Sequence, residues 1–313
     1  MTVWCLPDFH FRLWFTSPSK RRGRAGACLA GALLLAVLAG CQPAAKPTSE
    51  TKRVAASEGK PERIVSLNLC TDQLLLQLVE PQRIAAVSRL AHDPGLSVLE
   101  PQARALPAVR GDTEEVLLLK PDLVLVGRYT ARYTTQMLRS LGIPVLEVPL
   151  ASSLTEVQQQ IMLVADAVGE SAKGRALVQA LQQRQLELQQ AAQQQAAPWP
   201  VAAERSWQGY STGTGTLMNE LIELAGYRNA GVEAGLTGYG YLPLERLVAT
   251  HPDLMLTPDY ASDMPSVVPR DQLHPALQHT ALDSLTMQTR TTICGGLWSL
   301  DTAARMAQQR QGR

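Results

Sequence analysis

Short apolar runs alternate with longer amphipathic segments through the first half of the chain. Buried strands are short and apolar, whereas a helix shows apolar residues three and four positions apart, so this pattern predicts strands joined by helices. Such alternation is typical of a mostly parallel sheet. The predicted strands are 63–68, 84–87, 123–126 and 144–148, and the predicted helices are 73–79, capped by Thr71 or Asp72, and 130–141.

A helical pattern follows over 154–168, is interrupted at Gly169 and resumes over 171–196. The second segment would extend about 39 Å as a helix, at 1.5 Å per residue. Its many glutamines are also typical of a flexible linker. Leucines at 177, 181, 186 and 188 favour a stiff helix that packs along part of its length.

Residues 114–125 and 245–256 share one pattern: a glutamate, a short apolar turn, Pro-Asp and an apolar run. Proline cannot continue a helix and favours an extended residue before it, so each copy predicts a short helix, an extended Lys120 or His251, and a buried strand. The two copies are too far apart in the sequence to be neighbouring repeats of a solenoid. It predicts two similar α/β lobes with a cleft between them.

The second lobe is predicted to begin after Pro200. It should contain helices at 216–225 and 244–250, a strand at 254–256 and a last helix that opens at 300–306. A further strand is expected around 201–206. That strand is the weakest prediction, because Glu204 and Arg205 interrupt its apolar pattern.

A basic cluster at 20–24 precedes an apolar run at 25–37 and the tetrapeptide Leu-Ala-Gly-Cys that ends at Cys41. The run is too short to span a bilayer and predicts an export signal. Its ending is similar to a bacterial lipobox, which would make Cys41 the lipidated first residue; a plain signal peptide is the alternative. Residues 42–61 have almost no large apolar side chain and are predicted to be a disordered tether.

The net charge bears on the possible partners of the chain, and the cysteine content bears on disulfide formation. The 29 basic and 28 acidic residues give a net charge of +1, which argues against a nucleic-acid partner. Cys5 and Cys28 would leave with the leader, so Cys70 and Cys294 remain as thiols. An exported protein can form disulfides. A bridge here would lock the predicted lobes together, so two partly buried free side chains are favoured and pairing stays open.

The sequence contains no strong motif for catalysis or for metal binding. The glycine-rich stretch 212–216 could cradle a phosphate before a helix, but it lacks the third glycine of a dinucleotide site and the Gly-Lys-Ser/Thr of a P-loop. A turn capped by Thr214 or Thr216 is favoured. No hydrolase or zinc motif is present, and the sequence predicts no metal site. The histidines are scattered, at His92, His251, His274 and His279.

Aromatic residues on predicted loops are more suggestive. Flat apolar faces with one polar group each suit an open cleft, and strand ends are where α/β sheets place ligands. Packing of each ring on its own lobe is the alternative. The residues concerned are Tyr239 and Tyr241 between glycines, Tyr210, Trp207, Trp298, and the pair Arg128-Tyr129 after a strand.

Glu114 and Glu245 hold equal positions in the two copies of the repeat. In two related lobes these carboxylates should project from matching ends and could guide docking of a partner. Helix N-terminal glutamate, favoured by the helix dipole, is the alternative.

Taken together, the chain resembles the substrate-binding lipoproteins of ABC importers for metal chelates, the family that includes cobalamin-, ferric-siderophore- and haem-binding proteins. The resemblance covers almost all of residues 62–310. The segments that carry it are 63–67, 114–126, 141–145, 226–229, 243–254 and 294–298.

This resemblance implies two Rossmann-like lobes joined by a single long helix, with the ligand held in the cleft as in class III periplasmic binding proteins. The implied organisation is a signal peptide with lipobox at 1–41, a tether at 42–61, lobes at 62–170 and 198–313, and a connecting helix at 171–197. Glu114 and Glu245 would dock onto arginines of the permease. The implied cleft positions are Asn68, Cys70, Arg89, His92, Arg128, Tyr129, Tyr210, Tyr239, Tyr241 and Trp298.

The sequence therefore predicts a monomeric periplasmic lipoprotein that binds an iron-siderophore, cobalamin or haem-type chelate. It would deliver this ligand to an ABC permease and its ATPase, without catalysis and without a cofactor of its own. Arg89 and Arg128 would meet anionic groups of the ligand. Two alternatives remain: an exported enzyme acting on a phosphorylated small molecule, and a structural lipoprotein of the envelope.

Overall fold

Two parallel sheets organise the computed structural model, which describes residues 59–206, 209–259, 275 and 282–311. All of these residues belong to one compact unit, Lys52–Arg313. The α/β class and the arrangement of two lobes are confirmed.

The first sheet has five parallel strands in the order β3-β2-β1-β4-β5. All four strands predicted in this half of the chain are present, because their apolar residues are buried on both faces of the sheet. The carboxyl ends of neighbouring parallel strands meet at one edge, so the residues that follow them lie together. The strands are β1 (Ile64–Ser66), β2 (Ile84–Ser88), β3 (Ala108–Val109), β4 (Leu123–Gly127) and β5 (Val145–Val148).

Four helices flank this sheet. The first begins earlier than predicted, because Asn68 rather than Thr71 or Asp72 caps it: the Asn68 side chain accepts a hydrogen bond from the backbone N–H of Cys70. Short 3₁₀ turns at Pro81–Arg83 and Arg89–His92 lie on either side of β2. The helices are α1 (Leu69–Leu78), α2 (Glu100–Ala103), α3 (Thr113–Leu118) and α4 (Arg132–Ser140).

Two consecutive helices lead from the first sheet to the second. Helix α5 (Leu154–Ala167) ends near Gly169, whose φ of +74° suits glycine, and α6 (Ser171–Gln193) follows. The 23 residues of α6 extend about 35 Å. Buried Leu181 and Leu188 pack it against its neighbours, so the glutamine-rich segment is a packed helix and not a flexible linker.

The second sheet has four parallel strands in the order β11-β10-β6-β8, with a separate antiparallel ribbon of β7 and β9. The weakly predicted strand exists as β6, in the interior of this sheet. The strands are β6 (Val201–Glu204), β7 (Tyr210–Thr212), β8 (Arg228–Asn229), β9 (Tyr239–Tyr241), β10 (Leu254–Asp259) and β11 (Asp283–Gln288).

Helices of the second lobe include both predicted ones, and Thr216 caps the first of them by accepting from the backbone N–H of Asn219. The last helix begins three residues before the predicted start. The helices are α7 (Leu217–Leu224), α8 (Ala230–Glu233), α9 (Leu244–Ala249), α10 (Thr289–Thr292) and α11 (Leu297–Gln311).

Both copies of the sequence repeat form the predicted helix and strand, α3 with β4 and α9 with β10. The prediction of an extended residue before each proline is wrong. Lys120 and His251 both have φ of +47°, in the left-handed region, and each backbone N–H closes a turn onto the carbonyl three residues earlier. Helix termination therefore decides this conformation more strongly than the following proline does.

The main hydrophobic core runs without interruption from the first sheet to the second. It joins Leu75 of α1, Val164 of α5, Leu181 of α6, Ile222 of α7 and Met306 of α11. The helices between the sheets thus bury apolar area against both, which holds the two lobes in one unit. Within the described residues, no helix combines the length and apolar character needed to cross a membrane.

Candidate functional site

A cavity of about 240 Å³ lies where the carboxyl ends of the two sheets face each other. It is bounded by the segment after β5, the start of α1, the end of β6, the start of α7, β9 and the segment after β11. Its lining is mostly apolar, with a few hydroxyl and amide groups and one carboxyl group. The lining residues are Cys70, Leu150, Ala151, Ser152, Gln160, Glu204, Leu217, Met218, Leu221, Tyr239, Thr289, Thr292, Ile293, Cys294 and Gly295.

On the side of the first sheet, Asn68 follows β1 and joins two strand ends. Besides capping α1, it donates from Nδ2 to Oγ1 of Thr130, which follows β4, at 3.1 Å. Asn68 is therefore held rigidly at the carboxyl edge of the sheet.

Arg89 and His92 lie in the 3₁₀ turn after β2, at the same edge. Arg89 is exposed, and no hydrogen bond or ion pair is found for it among the described residues. His92 is half-buried, with Nε2 hydrogen-bonded to the carbonyl of Ala103 at 2.8 Å. The imidazole is thus already engaged on one side.

Arg128 and Tyr129 follow β4 and are both exposed. The Arg128 guanidinium is 3.8 Å from a carboxylate oxygen of Glu147, and the Tyr129 ring lies beneath the Arg132 guanidinium at 5.9 Å. Arg128 is partly neutralised by this exposed ion pair. Tyr129 offers its remaining surface to solvent.

The three predicted tyrosines of the second lobe come together on the β7–β9 ribbon. Tyr210 pairs directly with Tyr241, and Tyr239 pairs with Thr212, so all four side chains share one face of the ribbon. The rings of Tyr210 and Tyr241 meet edge to face with centroids 6.4 Å apart. All three tyrosines are exposed, and Tyr239 also lines the cavity. The ribbon thus presents an aromatic face beside the cavity.

Of the predicted cleft residues, Cys70 and Tyr239 line the cavity, and the one carboxyl group in its described lining, Glu204 at the end of β6, was not predicted. Its Oε2 accepts a 2.6 Å hydrogen bond from the Thr212 hydroxyl, and its side chain lines the cavity. Burial raises the pKa of the Glu204 carboxyl, and the Thr212 hydrogen bond lowers it only in part. The signal was present in the sequence: an acidic residue at the end of an otherwise apolar strand made the strand difficult to predict.

Tyr239 is electrostatically coupled to Glu204. Although much of the Tyr239 ring is exposed, desolvation where it lines the cavity raises the pKa of its phenol, and the negative charge of Glu204 raises this pKa further. A phenol is protonated near neutral pH, so Tyr239 can donate a hydrogen bond into the cavity that it lines.

Cys70 and Cys294 form a disulfide, with an S–S distance of 2.11 Å, so the prediction of two free thiols is wrong. The bridge does connect the two lobes, which is the consequence that made pairing look unfavourable from the sequence. Cys70 is in the first turn of α1 and Cys294 lies between α10 and α11, on opposite sides of the cleft. The bridge lies in the cavity wall and ties the two lobes together there.

Trp298 is not on an exposed loop, as predicted, but in the first turn of α11. Only 7% of its surface is exposed, and its indole N–H donates to the carbonyl of Cys294 at 2.7 Å. Its ring packs beside Gly296, where a Cβ would collide with the indole. The buried Trp298 side chain therefore holds the segment that contains Cys294 in place.

The glycine-rich stretch does not form a phosphate cradle. The backbone N–H groups of Gly213 and Thr214 donate to the carbonyls of Gly238 and Leu236, at 2.8 and 3.1 Å. A Cβ at position 213 would collide with the Leu236 carbonyl, which explains the glycine. Amides that would bind an anion are thus already used to position the ribbon.

Glu114 and Glu245 are the second residues of α3 and α9, two helices of six residues each, and both are exposed. Glu114 also borders an open groove of about 340 Å³ between α3 and α4, where Tyr133 and Leu141 are exposed. The two glutamates thus hold equivalent positions, each as the exposed second residue of a six-residue helix.

Several predicted positions lie outside the described residues: Cys41, Trp207, His274 and His279. In the part of the chain that is described, no group of three or more His, Cys, Asp or Glu side chains could hold a metal ion.

Comparison with known proteins agrees with this architecture. The family described as "Periplasmic binding protein" matches residues 64–281. A cobalamin-binding protein of Halobacterium salinarum is 26% identical over 217 residues, 69% of this chain and 58% of the relative. The uncharacterized ABC transporter substrate-binding lipoprotein YvrC of Bacillus subtilis is 29% identical over 157 residues, 47% of this chain and 49% of that one. The chain thus spans less than two thirds of the length of either curated relative.

Among solved structures, the periplasmic heme binding protein HutB of Vibrio cholerae superposes with a TM-score of 0.66. The alignment covers 79% of this chain and 98% of HutB, at 22% sequence identity. This similarity supports the fold alone.

Proposed function

The chain belongs to the periplasmic binding protein family, and on this premise we propose that it is the solute-binding component of an ABC importer. It captures a bulky metal chelate in the cleft between the sheets and delivers it to the permease. The ligand class is a corrinoid, a haem or a ferric siderophore. Families with this fold are binding proteins and not enzymes.

The observation that carries this proposal is the aromatic face of the β7–β9 ribbon. Three exposed tyrosines, Tyr210, Tyr239 and Tyr241, share one face next to the cavity. Exposed aromatic rings in a concave region mark a binding site, because they gain apolar contact only when a ligand covers them. A flat, largely apolar chelate fits this surface.

We assign the edge of the first sheet to the opposite side of the bound ligand. Arg89 is exposed there, and Arg128 is only partly neutralised by Glu147. Asn68 and Tyr129 add polar groups at the same edge. We assign these residues, with Cys70 and the three tyrosines, to contact with the ligand; His92 and Trp298 support the walls.

The location follows from the family, whose members act outside the cytoplasm. Attachment to the membrane through a lipid on Cys41 is part of the proposal and is supported by the lipoprotein name of the B. subtilis relative. The protein would act as a monomer on a permease and its ATPase. Glu114 and Glu245 would provide the docking contacts, with the groove beside Glu114 receiving an apolar side chain of the permease.

Ligand titration tests the proposal. Tyrosine and tryptophan fluorescence of the purified protein is followed while cobalamin, haemin, and ferric hydroxamate and catecholate siderophores are added. We expect saturable quenching by one of these, with a Kd of about 1 µM or below. Absence of binding to every ligand would favour a structural lipoprotein, and hydrolysis of a phosphorylated compound would favour an enzyme.

A variant pair makes the same test specific to the ribbon. Tyr210→Ala with Tyr241→Ala should weaken ligand binding at least tenfold, roughly the loss of 1–2 kcal/mol of aromatic contact. Tyr133→Ala is the control for loss of an exposed tyrosine, because Tyr133 is at least as exposed as Tyr210 and Tyr241 but lies on α4 and does not line the cavity. Equal affinities of the double variant and the control would contradict the assignment of the site.

A further inference from the structure

Glu204 presents an enclosed carboxyl group to the cavity with half of its hydrogen-bonding capacity unused. One oxygen, Oε2, accepts from Thr212 at 2.6 Å. No described residue donates to the other oxygen, Oε1. An acceptor oxygen in the cavity wall loses its contact with water when a ligand fills the cavity, so the site is suited to a ligand group that donates a hydrogen bond in its place.

Among its described residues, the cavity wall offers no positive charge to compensate Glu204. The fifteen described lining residues include no Lys, Arg or His. Arg290 is near the wall, in α10, but its guanidinium donates to the Gln288 side chain at 3.4 Å and does not line the cavity. An anionic ligand group would therefore approach a carboxyl group without a cation to hold it.

The size of the cavity limits what enters it. At about 240 Å³ it is smaller than the usual pocket for a whole drug-sized ligand, so it holds one side group of a chelate while the ring lies on the tyrosine face. The other polar groups of the wall are the hydroxyls of Ser152, Thr289 and Thr292 and the amide of Gln160. The Thr289 and Thr292 hydroxyls and the Gln160 amide already donate to backbone carbonyls, and their oxygens can still accept a hydrogen bond from the ligand.

From this geometry we infer that the cavity is a subsite for a peripheral carboxamide of the bound chelate and discriminates against a carboxylate at the same position. A carboxamide N–H can donate to ionised Glu204, and its carbonyl can accept from protonated Glu204, so it pairs with either form. A carboxylate repels the ionised form and meets no cation among the described lining residues, so the discrimination applies where Glu204 is ionised. The inference rests on the proposed function, and it favours a corrinoid, which carries carboxamides, over a haem, which carries propionates.

Matched ligand pairs test the inference. The probes are cobalamin against a cobalamin in which one peripheral carboxamide is hydrolysed to the acid, and haemin against its bis-amide. Each is titrated into the full-length purified protein near neutral pH. In whichever pair binds, the amide form should bind about tenfold more tightly than the acid form, which corresponds to 1.4 kcal/mol.

Two substitutions separate charge from hydrogen bonding. Glu204→Gln removes the charge and keeps an acceptor, so it should retain amide binding and improve acid binding until the two differ by less than about threefold. Glu204→Leu removes both and should weaken amide binding about tenfold. Glu187→Gln is the control for loss of one negative charge, because Glu187 is exposed on α6 and does not line the cavity.

The outcomes distinguish the two proposals. Binding of no member of either pair would overturn this inference, and the proposed function would then fall as well only if no ferric siderophore bound in the titration above. Binding in which the acid form equals or exceeds the amide form, with Glu204→Gln indistinguishable from Glu187→Gln, would overturn the amide subsite and leave the receptor function standing.

Discussion

Asp72 is a buried carboxyl that no part of the proposed function uses. It lies in the first turn of α1, fully buried, and accepts hydrogen bonds from the backbone N–H and the hydroxyl of Ser88 at 3.1 and 2.5 Å. Burial raises the pKa of the Asp72 carboxyl from 3.8 to about 7, although hydrogen bonds from Ser66 and Ser88 lower it. Desolvation outweighs these hydrogen bonds.

The raised pKa makes stability depend on pH. Between 3.8 and about 7 the folded protein retains a proton on Asp72 that the unfolded chain has released. The free energy of unfolding should therefore fall as pH rises through this window, by up to about 4 kcal/mol from this group. Asp72→Asn stays neutral and should remove this part of the slope in urea unfolding at about pH 5 and about pH 8.

Asp166→Asn is the control for this prediction, because Asp166 is an exposed aspartate of α5. It should leave the slope within about 0.5 kcal/mol of the parent protein. The assignment would be wrong if Asp72→Asn and Asp166→Asn gave parallel curves.

At the scale of secondary structure elements, the residue between the helix and the strand has the same backbone conformation in both copies of the repeat. Lys120 and His251 are exposed, follow helices of equal length and share φ of +47°. A left-handed conformation is unfavourable for any residue with a Cβ. Both residues nevertheless adopt this conformation, because the left-handed residue turns each short helix directly into a central strand.

Glycine at either position should stabilise the protein. Relief of the left-handed conformation outweighs the greater freedom of glycine in the unfolded chain, so Lys120→Gly and His251→Gly should each raise the free energy of unfolding by about 0.5–1 kcal/mol. Lys120→Ala keeps the Cβ and should change it by less than about 0.5 kcal/mol. Urea unfolding of the three variants checks this; destabilisation by glycine would contradict it.

Helices and strands were predicted correctly where local hydrophobic periodicity alone decides the secondary structure. The helix and strand pattern of the first sheet follows from local periodicity, and it was found nearly as predicted. Strand β6 was hard to predict because Glu204 at its end serves the cavity and not the core. The start of α11 was missed because Gly295 and Gly296 precede it and Trp298 was assigned to a loop by its aromatic character.

In the whole molecule, the Cys70–Cys294 bridge closes a loop of 224 residues in sequence separation. A cross-link over so long a loop restricts the unfolded chain strongly. Cys70→Ala with Cys294→Ala should therefore lower the free energy of unfolding by about 2–5 kcal/mol while the protein still folds. Unfolding of the double variant, compared with the reduced parent protein, tests this; the two should agree, and a double variant as stable as the oxidised parent would refute it.

The paired glutamates provide a prediction about the assembled transporter. Glu114→Ala with Glu245→Ala should leave ligand affinity unchanged, because both side chains are exposed and neither lines the cavity. Uptake of the ligand by cells should be lost, because charge pairs at a rim orient docking. Glu187→Ala is the exposed control. Normal uptake by the double variant would remove the docking role.

The sequence by itself determined the class of fold, the duplication, the long helix and the three tyrosines, because periodicity, proline and glycine act over a few residues. Only the tertiary structure decided the Cys70–Cys294 pairing, the burial of Trp298 and the meeting of Glu204 with Thr212 and Tyr239. These depend on distances between segments far apart in the chain, which the packing of two sheets sets and no local pattern records.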